Sequence, residues 1–80
     1  MDLFHLIDDG VAIVRVGNIY KQTKLYRRKD RLFVTHAGGY VRICAKFGDT
    51  WGTALPNVKV IDFEGEGVCN ATNEPRWEPA

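Results

Sequence analysis

The sequence has little cysteine and no long hydrophobic run, and both shortages exclude whole classes of protein. Its two cysteines, Cys44 and Cys69, are too few for a disulfide framework. No apolar stretch approaches the roughly 18 residues that a membrane-spanning helix needs. The start, MDLFHLIDDG, has neither the basic beginning nor the apolar core of a signal peptide. We therefore expect a cytoplasmic protein without a membrane partner.

The chain is also short, at 80 residues, which predicts one domain. A domain of this size buries only about 60% of the surface that its unfolded chain exposes. Its content of 45% hydrophobic and 26% charged residues is typical of a folded globular protein. Such a domain leaves little room for a deep catalytic cleft.

Acidic residues are scarce in the middle of the chain. Between Lys21 and Lys46 there are eight basic residues and one acid, Asp30, which gives this stretch a net charge of +7, although the whole chain carries only +1. The acids are concentrated in the first ten residues and from Asp62 onwards. The small total charge therefore conceals a dipolar molecule.

The stretch from Tyr20 to Phe47 predicts three antiparallel strands joined by two tight turns. In the second turn, Gly38-Gly39 tolerates the positive φ angles that two-residue hairpin loops require. A loop centred on this pair predicts Val34 opposite Ile43.

The first turn, at Lys29-Asp30, contains no glycine, so a longer or bulged loop is an alternative that would shift the pairing. The two-residue loop predicts Tyr26 opposite Phe33. One face of the three strands then collects apolar residues, namely Leu32, Val34, Val41, Ile43 and Ala45. The other face interleaves aromatic and basic residues, namely Lys24, Tyr26, Arg28, Arg31, Phe33, Tyr40, Arg42 and Lys46.

The flanking segments add two strands, at Val11–Val16 and Val58–Glu64. Residues 1–10 fit either a short helical turn or an edge strand, and residues 48–57 have loop chemistry. We predict an all-β fold: a small five-stranded barrel, SH3-like or OB-like, or a bent antiparallel sheet. The domain spans residues 1–64, and residues 65–80 form an extended or flexible tail with Trp77 as a docking point. An exposed edge strand could also pair two copies into a homodimer.

This predicted surface of eight aromatic and basic residues is the strongest functional feature of the sequence. Single-stranded nucleic acids stack their bases on aromatic rings while cations follow the phosphates. Tyrosine and arginine are also enriched in protein interfaces. A structural alternative is that these rings pack beneath the tail or a loop, and the acidic tail could itself fold back over the basic face. We rank packing and a protein interface together above nucleic acid.

Catalytic and metal-binding patterns are weak. His5, Asp8 and Asp9 could together form part of a metal or acid/base site, but no partner cluster elsewhere in the sequence would complete it. His36 fits a hydrogen-bonded structural histidine, and Cys44 has no histidine placed to act as its base. We expect no enzyme activity, no cofactor and no metal.

The segments Tyr20–Arg27, Arg31–Val34 and Gly38–Arg42 together resemble a pattern in small bacteriophage proteins of unassigned role. The similarity covers the middle third to half of the chain. It implies a short early phage protein that acts by binding in the host cytoplasm, for instance as an inhibitor that occupies a host enzyme or defence complex. It implies no catalytic residues.

Overall fold

The structure, a computed structural model, describes residues 3–71 and 73–78, and each regular element in this part of the chain is a β-strand. The strands are β1 (His5–Val16), β2 (Ile19–Arg28), β3 (Arg31–His36), β4 (Gly39–Phe47), β5 (Thr50–Thr53), β6 (Val58–Glu64), β7 (Val68–Cys69) and β8 (Arg76–Trp77). Within these ranges, no helix has the length and apolar character needed to cross a membrane.

Six of the strands close into an antiparallel barrel. Each strand from β1 to β5 pairs with the next in sequence, and β6 pairs with β1. The prediction of a small all-β barrel is confirmed, but the barrel has six strands rather than five. The missed strand is β5, which lies in the segment predicted as a loop. Trp51 of β5 is buried, and a Cβ at Gly52 would lie 3.5 Å from the ring of Phe47.

The barrel interior is filled by apolar side chains from all six strands. They are Ile7, Ala12, Val14, Leu25, Leu32, Val34, Val41, Ile43, Trp51, Val60 and Phe63. Four of the five residues assigned to the apolar face from sequence are buried, and Ala45 is half-buried. Because burial of apolar surface is the main favourable term in folding, this interior is the main source of stability.

Strand β1 is longer than predicted, because it begins at His5 and includes much of the segment left open as a helical turn or an edge strand. A bulge between Leu6 and Val11 bends it, and Asp9 within the bulge has a φ of 56°. Bulges increase local twist and so help a sheet to close. The Val11–Val16 half lies between β2 and β6 and pairs with both of them.

The register predicted for the β3–β4 hairpin is wrong. Val34 lies opposite Val41 rather than Ile43, and the loop is Ala37-Gly38, with φ angles of 53° and 80°. Moving the loop by one residue moves each partner by two, so both registers keep the same side chains on the same faces. The apolar pattern therefore does not distinguish them. The observed register places Tyr40 where its ring contacts other aromatic residues.

The Ala37 backbone gives a first testable prediction. A positive φ is unfavourable for alanine, whereas Asn-Gly is the preferred pair in this kind of turn. We expect Ala37→Asn to raise the free energy of unfolding by about 0.5–1 kcal/mol. Urea denaturation measures the change. Ala54→Asn, at an exposed alanine without a positive φ, should leave stability nearly unchanged, and equal effects of the two variants would contradict the turn geometry.

The β2–β3 turn follows the prediction, since Tyr26 pairs with Phe33 and Arg28 with Arg31. The ladder between these strands contains three pairs, and the strands then separate around a cleft of about 300 Å³. The Thr23 and Thr35 hydroxyls, 2.5 Å apart, form a hydrogen bond across this cleft. The edge-strand homodimer stays a prediction.

The tail lies against the barrel. Strand β8 pairs with β3 at Arg31, and β7 pairs with β8. Pro75 is fully buried, and Trp77 packs against the core as the predicted docking point. Of the predicted tail, residues 72, 79 and 80 lie outside the described residues. The described part of the tail therefore extends the sheet at the start of β3.

Candidate functional site

Four aromatic rings form one cluster on the outer surface of β2, β3 and β4. We use the name aromatic and basic face for this cluster and three arginines around it, that is, for Phe4, Tyr26, Phe33, Tyr40, Arg28, Arg31 and Arg42. Tyr26 and Tyr40 meet edge to face at 5.1 Å between ring centroids. Phe4, which precedes β1, stacks on Tyr40 at 3.8 Å and meets Phe33 edge to face at 4.8 Å. Phe33 is consequently only 7% exposed, although it lies outside the barrel interior.

Arg28 lies over the same cluster. Its guanidinium carbon is 4.9 Å from the ring centroid of Phe4 and 5.5 Å from that of Phe33. A cation over an aromatic face is attracted by the ring quadrupole. The rings therefore hold the Arg28 charge at the surface next to the exposed Tyr40.

Arg31 and Arg42 converge on one carboxylate from the tail. Arg31 Nη1 donates a hydrogen bond of 2.5 Å to Glu74 Oε2, and Arg42 forms an ion pair with the other oxygen of Glu74. Arg31 Nε also lies 3.6 Å from Asp30 Oδ1. Arg42 Nε is buried and has no hydrogen-bond acceptor among the described residues. Part of the positive charge of this face is therefore balanced within the molecule.

The residues after Glu74 fix its position. Pro75 is fully buried, and the Trp77 backbone N–H donates a hydrogen bond of 2.9 Å to the Asp30 carbonyl. The Arg27 guanidinium carbon lies 4.0 Å from the centroid of the Trp77 ring. Because Pro75 and Trp77 are already anchored, the contacts of Glu74 with the two arginines do not require a free tail to become ordered.

A groove of about 510 Å³ borders the aromatic and basic face. Its lining includes Leu55 from the β5–β6 loop together with four residues of the face, namely Arg28, Phe33, Tyr40 and Arg42. The Thr53 hydroxyl shapes this loop, since it accepts a hydrogen bond from the Leu55 backbone N–H. Tyr40 is 45% exposed and Leu55 37% exposed. The groove thus combines an accessible apolar surface with cationic side chains.

Six of the eight predicted site residues lie together on this face: Tyr26, Arg28, Arg31, Phe33, Tyr40 and Arg42. Lys46 does not, because a bulge in β4 after Ile43 changes the alternation of side chains. Its Nζ lies 4.9 Å from the Trp51 ring centroid. Lys24 lies opposite Val11, where β2 has separated from β3, and lines a different depression. Lys24 and Lys46 therefore lie apart from the other six residues.

Sequence reasoning missed three residues of this site: Phe4 in the ring cluster, Leu55 in the groove and Glu74 beside the arginines. Phe4 belongs to a segment whose structure was left open. Leu55 belongs to the segment 48–57, which was predicted only as a loop. Glu74 had a signal, because the acidic tail was expected to be able to cover the basic face, but no pattern selected this acid among those of the tail.

The other candidate groups are scattered. Cys44 and Cys69 are free thiols, and Cys44 Sγ donates a weak hydrogen bond of 3.8 Å to the Arg42 carbonyl. His36 lies at the edge of both the cleft and the groove. Across residues 3–71 and 73–78, no three His, Cys, Asp or Glu side chains converge as metal ligands would.

Comparisons with protein-family models, with curated proteins and with solved structures found no match for this chain.

Proposed function

We propose that the chain is a non-enzymatic binding protein of phage type, which occupies and inhibits a host protein through the aromatic and basic face. The main support is the exposed ring of Tyr40, held by Phe4 and Tyr26 at the border of an amphipathic groove. Tyrosine and arginine are enriched among the residues that dominate binding energy. A ring already fixed by its neighbours loses little freedom on binding. The site of action would be the host cytoplasm.

A module that binds single-stranded nucleic acid through the same face is the second candidate. The eight basic residues between Lys21 and Lys46 favour it. Stacking of bases, however, needs open ring faces. Phe33 is covered, and one face of Tyr40 lies on Phe4. We therefore rank a protein partner above nucleic acid.

Substitution of Tyr40 tests this proposal. The tagged chain is used to capture its partner from a lysate of the bacterial host, with and without nuclease, and affinity for the captured protein is then measured. We expect one discrete protein to be captured both with and without nuclease. Tyr40→Ala should weaken the affinity of the chain for this protein by about 30-fold or more, as for an interface hot spot. The matched control is Tyr20→Ala, since Tyr20 is 62% exposed and lies in the β1–β2 hairpin.

Two outcomes would contradict the proposal. Equal affinities of the Tyr40 and Tyr20 variants would show that this face is not the binding surface. Recovery of nucleic acid that is lost at raised salt would favour the second candidate, because neutralisation of phosphates makes affinity fall steeply with salt. A protein interface led by aromatic contacts should depend less on salt.

A further inference from the structure

The contact between Glu74 and the two arginines has the chemistry of a binding site that already holds a ligand. Two guanidinium groups, one from the start of β3 and one from β4, meet the two oxygens of a single carboxylate. Arginine presents a planar set of donors that suits carboxylates and phosphates. The barrel supplies the receptor, and the tail supplies the anion.

This site remains accessible. The Arg31 side chain is 39% exposed, Arg42 42% and Glu74 31%, so solvent and solutes reach all three groups. Arg42 also lines the groove that contains Tyr40 and Leu55. A partner seated in the groove would therefore lie beside the two arginines.

Glu74 is a ligand that a partner can displace. Its ion pairs with Arg31 and Arg42 join side chains that are 31–42% exposed. Ion pairs in contact with solvent contribute only about 0–1 kcal/mol each. A carboxylate of a partner can therefore replace Glu74 at little cost in stability.

We propose that Arg31 and Arg42 form a receptor for a carboxylate of the partner protein, and that Glu74 occupies this receptor until the partner displaces it. The inference rests on the proposed function, and it names the partner chemistry as an acidic segment with apolar side chains beside the acid. The groove favours this ligand over a nucleic acid, because Tyr40 and Leu55 offer apolar contacts next to the arginines. Competition by Glu74 lowers the apparent affinity of the chain for the partner, since only molecules in which Glu74 has left the two arginines can bind the partner's carboxylate.

The test uses the full chain and capped hexaglutamate as the probe, with capped hexaglutamine as the neutral control. Binding is followed by the ¹⁵N–¹H signals of the arginine side chains. We expect Glu74→Gln to bind hexaglutamate about tenfold more tightly than the unmodified chain. The signals of Arg31 and Arg42 should shift, and hexaglutamine should cause no shift.

Glu78→Gln is the matched control, because it removes the same charge from the same tail but breaks only the pair with Arg76. Its affinity for hexaglutamate should change less than about twofold, as for an exposed ion pair away from the site. The double variant Glu74→Gln/Arg42→Gln should not show the tighter binding of hexaglutamate that is expected for Glu74→Gln alone. The indole N–H signal of Trp77 reports whether the tail stays docked in each variant.

Three results would overturn the inference. An unchanged affinity in Glu74→Gln would make Glu74 a purely structural contact. Equal gains in the Glu74 and Glu78 variants would reduce the effect to net charge. Tighter binding of a short oligothymidylate than of hexaglutamate would identify a phosphate site instead. If the carboxylate receptor fails while capture still depends on Tyr40, the proposed function stands and only the partner chemistry is wrong.

Discussion

Gly10→Ala is expected to lower the free energy of unfolding by about 2–3 kcal/mol, because the space that its Cβ would enter is already filled. That Cβ would lie 2.9 Å from both Cβ and the carbonyl oxygen of Ile7, and 3.0 Å from Cβ of Leu25. These atoms belong to the backbone and to the base of buried side chains, so they cannot rotate away. In a domain with about 4–12 kcal/mol of total stability, this is a large fraction.

Urea denaturation followed by tryptophan fluorescence measures the loss. Gly39→Ala is the matched control, because its Cβ would meet only the His36 carbonyl oxygen, at 3.7 Å, and its φ is not positive. We expect that variant to change stability by less than about 0.5 kcal/mol. Similar losses in both variants would mean that the close approach at Gly10 does not limit the fold.

Trp77→Ala is expected to lower the free energy of unfolding by about 2–3 kcal/mol. Truncation of a fully buried tryptophan costs about 3–5 kcal/mol, and Trp77 is half-buried. The variant also removes the ring beneath the Arg27 guanidinium, a contact worth about 0.5–1 kcal/mol at an exposed site. For a domain of this size, the midpoint of thermal unfolding should fall by roughly 10–20 °C.

Circular dichroism measures this midpoint without relying on tryptophan emission. Phe47→Ala removes another large aromatic side chain, but Phe47 is 69% exposed at the end of β4. A substitution at such an exposed position changes stability by about 0.5 kcal/mol or less. At about 4–8 °C per kcal/mol, the thermal midpoint of this variant should stay within a few degrees of that of the unmodified chain. If Trp77→Ala unfolded at the same temperature as the unmodified chain, the tail would contribute nothing to the barrel.

The sequence was sufficient to predict the barrel because its strands alternate clearly. Leu32, Val34, Val41 and Ile43 lie inside as expected, even though the hairpin that carries all four has another register. Strand β5 was not predictable in this way. Four residues with a central glycine carry too little alternation, and β5 forms because β4 and β6 offer it partners on both sides.

The candidate site was predictable where it depends on alternation along regular strands. Tyr26 and Phe33 are direct neighbours across β2 and β3, so the pattern brought them together correctly. A bulge removed Lys46 from the set, and a bulge has no clear signal in this sequence. Phe4 and Glu74 arrive from distant parts of the chain, and their contacts depend on tertiary packing that no local pattern encodes.

The pairing of β1 with β6 has a consequence for the chain as it is synthesised. Strands β1 to β5 each leave the ribosome before β6, so one side of β1 has no partner until Val58–Glu64 has emerged. During that interval the apolar faces of the unfinished meander are open to water. The same region carries most of the positive charge of the chain. Because like charges repel one another, this basic stretch would oppose association of unfinished chains before the barrel closes.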